Sequence, residues 1–86
     1  MRPLESIVAA EKDRMIRNSR YAYVVIEKIG AGWGLVGETN VIAVAASLRD
    51  QAIERTAGES EIQIWKTLDP PVQIFAYIPG KKEGKE

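Results

Sequence analysis

Neither cysteine nor histidine occurs in the chain. Thiol nucleophiles, disulfides, Cys/His zinc sites, histidine-held haem and every triad with a histidine base are therefore excluded. Arginine, lysine, carboxylate, glycine and aromatic side chains are left to do any chemistry. The carboxylates Glu27, Glu38, Asp50, Glu54, Glu59, Glu61 and Asp69 are scattered. None falls at a spacing that demands paired acid–base work or a calcium loop. Lys28 and Lys66 are expected to lift their ammonium groups to water at a sheet end, and nothing near them in sequence points to an amine nucleophile. No metal and no cofactor is expected.

The segment Gly30-Ala31-Gly32-Trp33-Gly34-Leu35-Val36-Gly37 contains a formal Gly-x-Gly-x-x-Gly at Gly32, Gly34 and Gly37. That pattern marks a dinucleotide site only between a strand and a helix inside a βαβ unit. Here Glu38-Thr39-Asn40 intervene before any helix. The segment is also similar to the phosphate-covering hairpin of protein kinases, but it is one residue short. The catalytic-loop and metal-binding motifs of that family are missing. A turn followed by a bulged strand is the expected structure, and an anion cradle of backbone N–H groups is the alternative.

Arg14, Arg17 and Arg20 recur at spacing three on and after the first helix. A stripe of this kind can contact phosphates. It also suits an ordinary solvated helix C-terminus, where cations are favoured.

These residues must be positioned by a small set of elements. Residues 3–18 read as an amphipathic helix, with Pro3 at the first helical position and Leu4, Ile7, Val8 and Met15 on one stripe. Residues 21–29 are rich in aromatic and β-branched types and read as a strand; Gly30-Ala31-Gly32 turn the chain, and residues 33–38 return. Thr39 or Asn40 is expected to cap a helix over about 41–57, closed by Gly58. Residues 61–68 and 72–78 both alternate, with Asp69-Pro70-Pro71 between them. The order α-β-β-α-β-β predicts an α+β fold: a four-stranded, mainly antiparallel sheet with the second helix packed on one face. Residues 1–80 are expected to form one domain, and the charged residues 81–86 a disordered tail.

Alternation then sorts side chains between the sheet faces. The aliphatic sets Ala22/Val24/Ile26, Ile62/Ile64 and Val72/Ile74/Ala76/Ile78 are expected beneath the second helix. Tyr21, Tyr23, Trp65, Phe75 and Tyr77 fall on the opposite face. A face this aromatic is rarely left bare in a monomer. It is expected to be covered by the first helix, a second copy or another molecule. The second helix is apolar over a wider arc than one sheet face needs, with Ile42, Ala46 and Ile53 on its shoulder and Arg49 among them. If that shoulder is an interface, Arg49 is its candidate anchor.

The chain has 86 residues, 45% of them hydrophobic, with 12 Lys+Arg against 12 Asp+Glu. Such a composition suits one globular core, and a zero net charge lacks the global field of a general nucleic-acid or membrane binder. Pro3, Glu5 and Glu11 interrupt any secretory signal, and the longest apolar run, Val41 to Ala46, is far too short to cross a bilayer. A cytoplasmic location is expected. The leading functional expectation is a non-enzymatic interaction or regulatory module, self-associating as a homodimer or binding a protein partner. Its candidate contact residues are Tyr21, Tyr23, Trp65, Phe75, Tyr77 and Arg49. Two alternatives follow: a nucleic-acid binder using Arg14, Arg17 and Arg20 with exposed rings, and, last, a small cofactorless enzyme.

Overall fold

The computed structural model describes residues 4–80, with side chains described from residue 11 onward. The expectations for Pro3 and the tail at 81–86 lie outside the described residues, and that for the Leu4/Ile7/Val8 stripe outside the described side chains. Along the chain run helix α1 (Leu4–Arg17), strands β1 (Tyr23–Ile29) and β2 (Gly32–Thr39), helix α2 (Ile42–Arg55), and strands β3 (Ile62–Lys66) and β4 (Val72–Tyr77). The four strands form one sheet in the order β2-β1-β3-β4, and all three pairings are antiparallel. The fold is α+β, as the patterning predicts. Two hairpins are joined along β1 and β3, which makes β4 one free edge of the sheet and β2 the other.

The first hairpin turns over Gly30 and Ala31, with Ile29 opposite Gly32 and Gly30 at φ 59°. Only glycine takes that conformation without strain. The register then slips between Val25 and Ile26, leaving Val36 as the extra residue of a bulge. The glycine-rich segment is therefore part of a hairpin, not a strand-to-helix crossing.

α2 begins differently from expectation. Val41 is the capping residue, in an extended conformation and with no side-chain cap bond. Thr39 Oγ1 accepts from the Val41 N–H at 3.1 Å, and Asn40 Oδ1 accepts from the Ala22 N–H at 2.8 Å, so both polar side chains are committed to the loop. The far end closes earlier than expected, with Thr56 as the capping residue and Ala57, not Gly58, first in the left-handed conformation at φ 54°, its N–H donating to the Glu54 carbonyl at 3.1 Å. Gly58, at φ 72°, donates its N–H to the Ile53 carbonyl at 2.8 Å.

Helices lie on both faces of the sheet. Under α2 the core gathers Val25, Ala45, Ala52, Ile62 and Ile64, flanked by Tyr23, Val36, Leu48, Ile53, Phe75 and Tyr77. Across the other face lies α1: Ile16 is buried there, and Lys12 stands over Trp33 and Trp65. Covering both faces explains why Val24, Val25 and Ile26 are all fully buried although neighbours in a strand point in opposite directions. Burying each such side chain is worth about 1.5–3 kcal/mol.

The expected sorting of faces holds for β3 and fails for β1 and β4. Ile62 and Ile64 do meet α2. Pairing sets Val25 opposite Ile64, and Ile62 and Ile64 opposite Tyr77 and Phe75. Directly paired residues share a face, so Tyr23, Phe75 and Tyr77 go beneath α2 with the isoleucines, while Val24, Ile26 and Ala76 face away. In β1 the consecutive Val24, Val25 and Ile26 give alternation no phase, and in β4 a bulge at Ile74 breaks the phase between Gln73 and the two rings. Packing supplies the phase: the small Ala45 and Ala52 let α2 close on β1 and β3, and the rings fill the flanks.

Candidate functional site

Three groups of side chains carry whatever this surface can do. The first lies between α1 and the sheet. Lys12 Nζ is 4.9 Å from the centre of the Trp33 ring and 5.4 Å from that of Trp65. These are cation–π distances. Trp65 Nε1–H donates to Gln63 Oε1 at 2.7 Å, and Gln63 Nε2–H donates to Glu61 Oε2 at 2.8 Å. Gln63 is only 5% exposed, so this relay satisfies an amide that would otherwise be buried unpaired. Replacing Gln63 with Leu should cost about 1–3 kcal/mol, because it leaves the Trp65 indole N–H without its acceptor. Urea denaturation followed by tryptophan fluorescence reads this directly. Nothing in the local pattern marks Lys12, whose partners come from strands distant in sequence, whereas the Gln63 relay is local and runs two residues to either side.

The second group lies along α2 and β4. The Arg49 guanidinium stacks on the Phe75 ring at 4.6 Å and pairs with Asp50 at 2.9 Å. Tyr77 Oη donates to the Gly58 carbonyl at 3.0 Å. The helix shoulder thus meets Phe75 through Arg49, while Tyr77 reaches the loop that follows α2. Tyr23 packs against the same core, with Lys66 Nζ 6.0 Å from its ring. Trp65 belongs to the opposite face, and Tyr21 is exposed just before β1. The six candidate contact residues therefore do not make one surface. The molecule also exposes Ile42 on α2 and, on or just after β4, Val72, Ile74 and Ile78. α2 packs over β2, β1 and β3, and reaches β4 through Arg49.

The third group is basic. Arg17 Nε–H donates to Asp13 at 2.8 Å, and Arg17 also bonds Asp69 at 3.2 Å. Hydrogen bonds to Asp13 and then to Asp69 raise the Arg17 pKa above its ordinary value. Arg14 and Arg20 are exposed. The central cation of the stripe thus already faces two carboxylates, and Arg14 and Arg20 alone are a thin phosphate-binding set.

One further ion pair joins helix to sheet. Arg55 bonds Glu27 at 2.7 Å, with the Glu27 side chain only 13% exposed. This charge-assisted bond accounts for an acidic residue on the α2 face of β1. A depression of about 300 Å³ is lined by Lys28, Gly30, Glu59, Ser60, Glu61 and Pro79 at the far end of the sheet. It is open to solvent and holds no nucleophile oriented by a base. Among the described residues, no three acidic side chains gather as a metal site, and no helix is long and apolar enough to cross a membrane. Comparison with protein-family models, with curated proteins and with solved structures finds no match to this chain.

Proposed function

We propose that this protein is a non-enzymatic interaction module that works by self-association, using the side of the molecule where the α2 shoulder meets β4. One observation carries the reading. The free edge strand runs from Val72 to Tyr77 without a charged residue, and it exposes Val72 and Ile74, with Ile78 just beyond. Edge strands of monomers are ordinarily blunted by charge, by proline, by a bulge or by a covering element; β4 has one of these, a bulge at Ile74, and still leaves its apolar side chains exposed. Prolines flank β4 at Pro71 and Pro79, and none lies within it. An apolar side of this kind is the usual mark of an interface.

The nucleic-acid alternative has less support. Tyr23, Phe75 and Tyr77 are turned to α2, which removes them as an open stacking platform. Light scattering over a dilution series tests the proposal. A dimer mass at high concentration that falls on dilution is the expected result; the mass of a single chain throughout would overturn it.

A further inference from the structure

The α1 face of the sheet holds a group of side chains that self-association does not use. Trp33 stands on β2 opposite Lys28, and Trp65 on β3 opposite Val24, so the two indoles flank β1 from either side. Ile26, fully buried, lies between them on that face of β1. Both tryptophans are partly exposed. One ammonium serves both rings: Lys12 Nζ is 4.9 Å from the centre of Trp33 and 5.4 Å from that of Trp65. Lys28 Nζ stands 5.9 Å from Trp33. Trp65 is held from its own strand, because its Nε1–H is bonded to Gln63 and Gln63 in turn to Glu61. The orientation of that ring therefore does not depend on Lys12.

We propose that Trp33 and Trp65 form a binding site for a small trimethylammonium compound, and that Lys12 is a built-in occupant that fills the site until α1 lifts. The site is distinct from the β4 side and stands whether or not the chain self-associates. An indole face attracts a cation through its quadrupole, and tryptophan does so best of the aromatic side chains. Two such faces converging on one charge make the arrangement that recognises quaternary ammonium groups.

The lysine is not the best cation for these rings. Its ammonium is a compact, strongly hydrated charge with three donors, and indole faces do not replace the water it gives up. A trimethylammonium group spreads the same charge over apolar methyls and has no donor to satisfy. Lys12 keeps the place because it is tethered: α1 packs on β2 and delivers the ammonium at a high effective concentration. Among the described residues, the ion pairs do not include Lys12, so its departure leaves no carboxylate behind. Lifting one helix from the sheet is a local opening, not an unfolding.

The chain has two tryptophans, and they are the two of the site, so their fluorescence reports it alone. Choline is the probe, titrated at constant ionic strength. Its uncharged carbon isostere, dimethylbutanol, is the control for apolar contact. Lys12→Met keeps the stem and removes the charge, and should bind choline about tenfold more tightly than the wild type, since the tethered competitor is gone. Lys28→Met removes the same charge beside one ring only, and should change the affinity little. Adding Trp33→Leu to Lys12→Met should abolish choline binding. Circular dichroism checks that each variant is folded, and Lys12→Gln repeats the measurement should the methionine disturb α1. A folded Lys12 variant that binds choline no more tightly than the wild type overturns the proposal. So does equal binding of the isostere, or an equal gain from Lys28→Met, which would make the effect one of general charge.

Discussion

Ile62→Ala should destabilise the fold by about 2–5 kcal/mol, the range for truncating a large buried aliphatic side chain. Ile62 has no exposed surface and sits in the α2 core between Glu27 on β1 and Tyr77 on β4. Its removal opens a cavity that these neighbours cannot easily close, because Glu27 is tied to Arg55 and Tyr77 to the Gly58 carbonyl. A domain of this size has a total stability on the order of 4–13 kcal/mol, so the loss is a large share of it. Guanidinium denaturation would show a lower midpoint with a similar slope. A change below about 1 kcal/mol would mean that β3 presents its other face to α2.

Ile16→Ala is the second large effect, expected at about 2–4 kcal/mol, and it tests the other face. Ile16 is the fully buried anchor of α1, one turn after Lys12. Shortening it loosens the helix that covers Trp33 and Trp65. The consequence should be visible before global unfolding, as a red shift and increased quenching of tryptophan fluorescence. Local opening of one weakly held element is expected to cost less than global unfolding. An unchanged emission spectrum would show that α1 does not depend on Ile16 for its place over the rings.

The elements themselves were legible, and for identifiable reasons. Gly30 and Gly58 take positive φ, and both mark turns where the sequence places them. The consecutive Val24, Val25 and Ile26 signal a strand covered on both sides, which is what the two helices provide. The Ile62/Ile64 alternation carries its phase because Gln63 between them is polar. In β4 Gln73 groups by alternation with Phe75 and Tyr77, but the bulge at Ile74 puts Gln73 opposite Trp65 and leaves the two rings, both apolar like the aliphatic set, opposite Ile64 and Ile62. Nothing local then says which set meets the helix, and the pairing with β3 decides it. For the same reason the α2 shoulder and the β4 rings read as two separate candidate surfaces, whereas Arg49 lies directly on Phe75. The sandwich of Lys12 with Trp33 and Trp65 joins three elements far apart in the chain. It depends on where α1 crosses the sheet, which no spacing within α1 encodes.

The most direct test of the interface is amide hydrogen exchange in β4, resolved by residue and measured at several protein concentrations. An interface at this edge predicts that the Ala76 amide, directed away from β3, is slow to exchange in concentrated solution and loses that protection on dilution, while Phe75 and Tyr77, paired with Ile64 and Ile62, stay protected throughout. Rapid exchange at Ala76 at every concentration, with Phe75 and Tyr77 protected, would contradict the account.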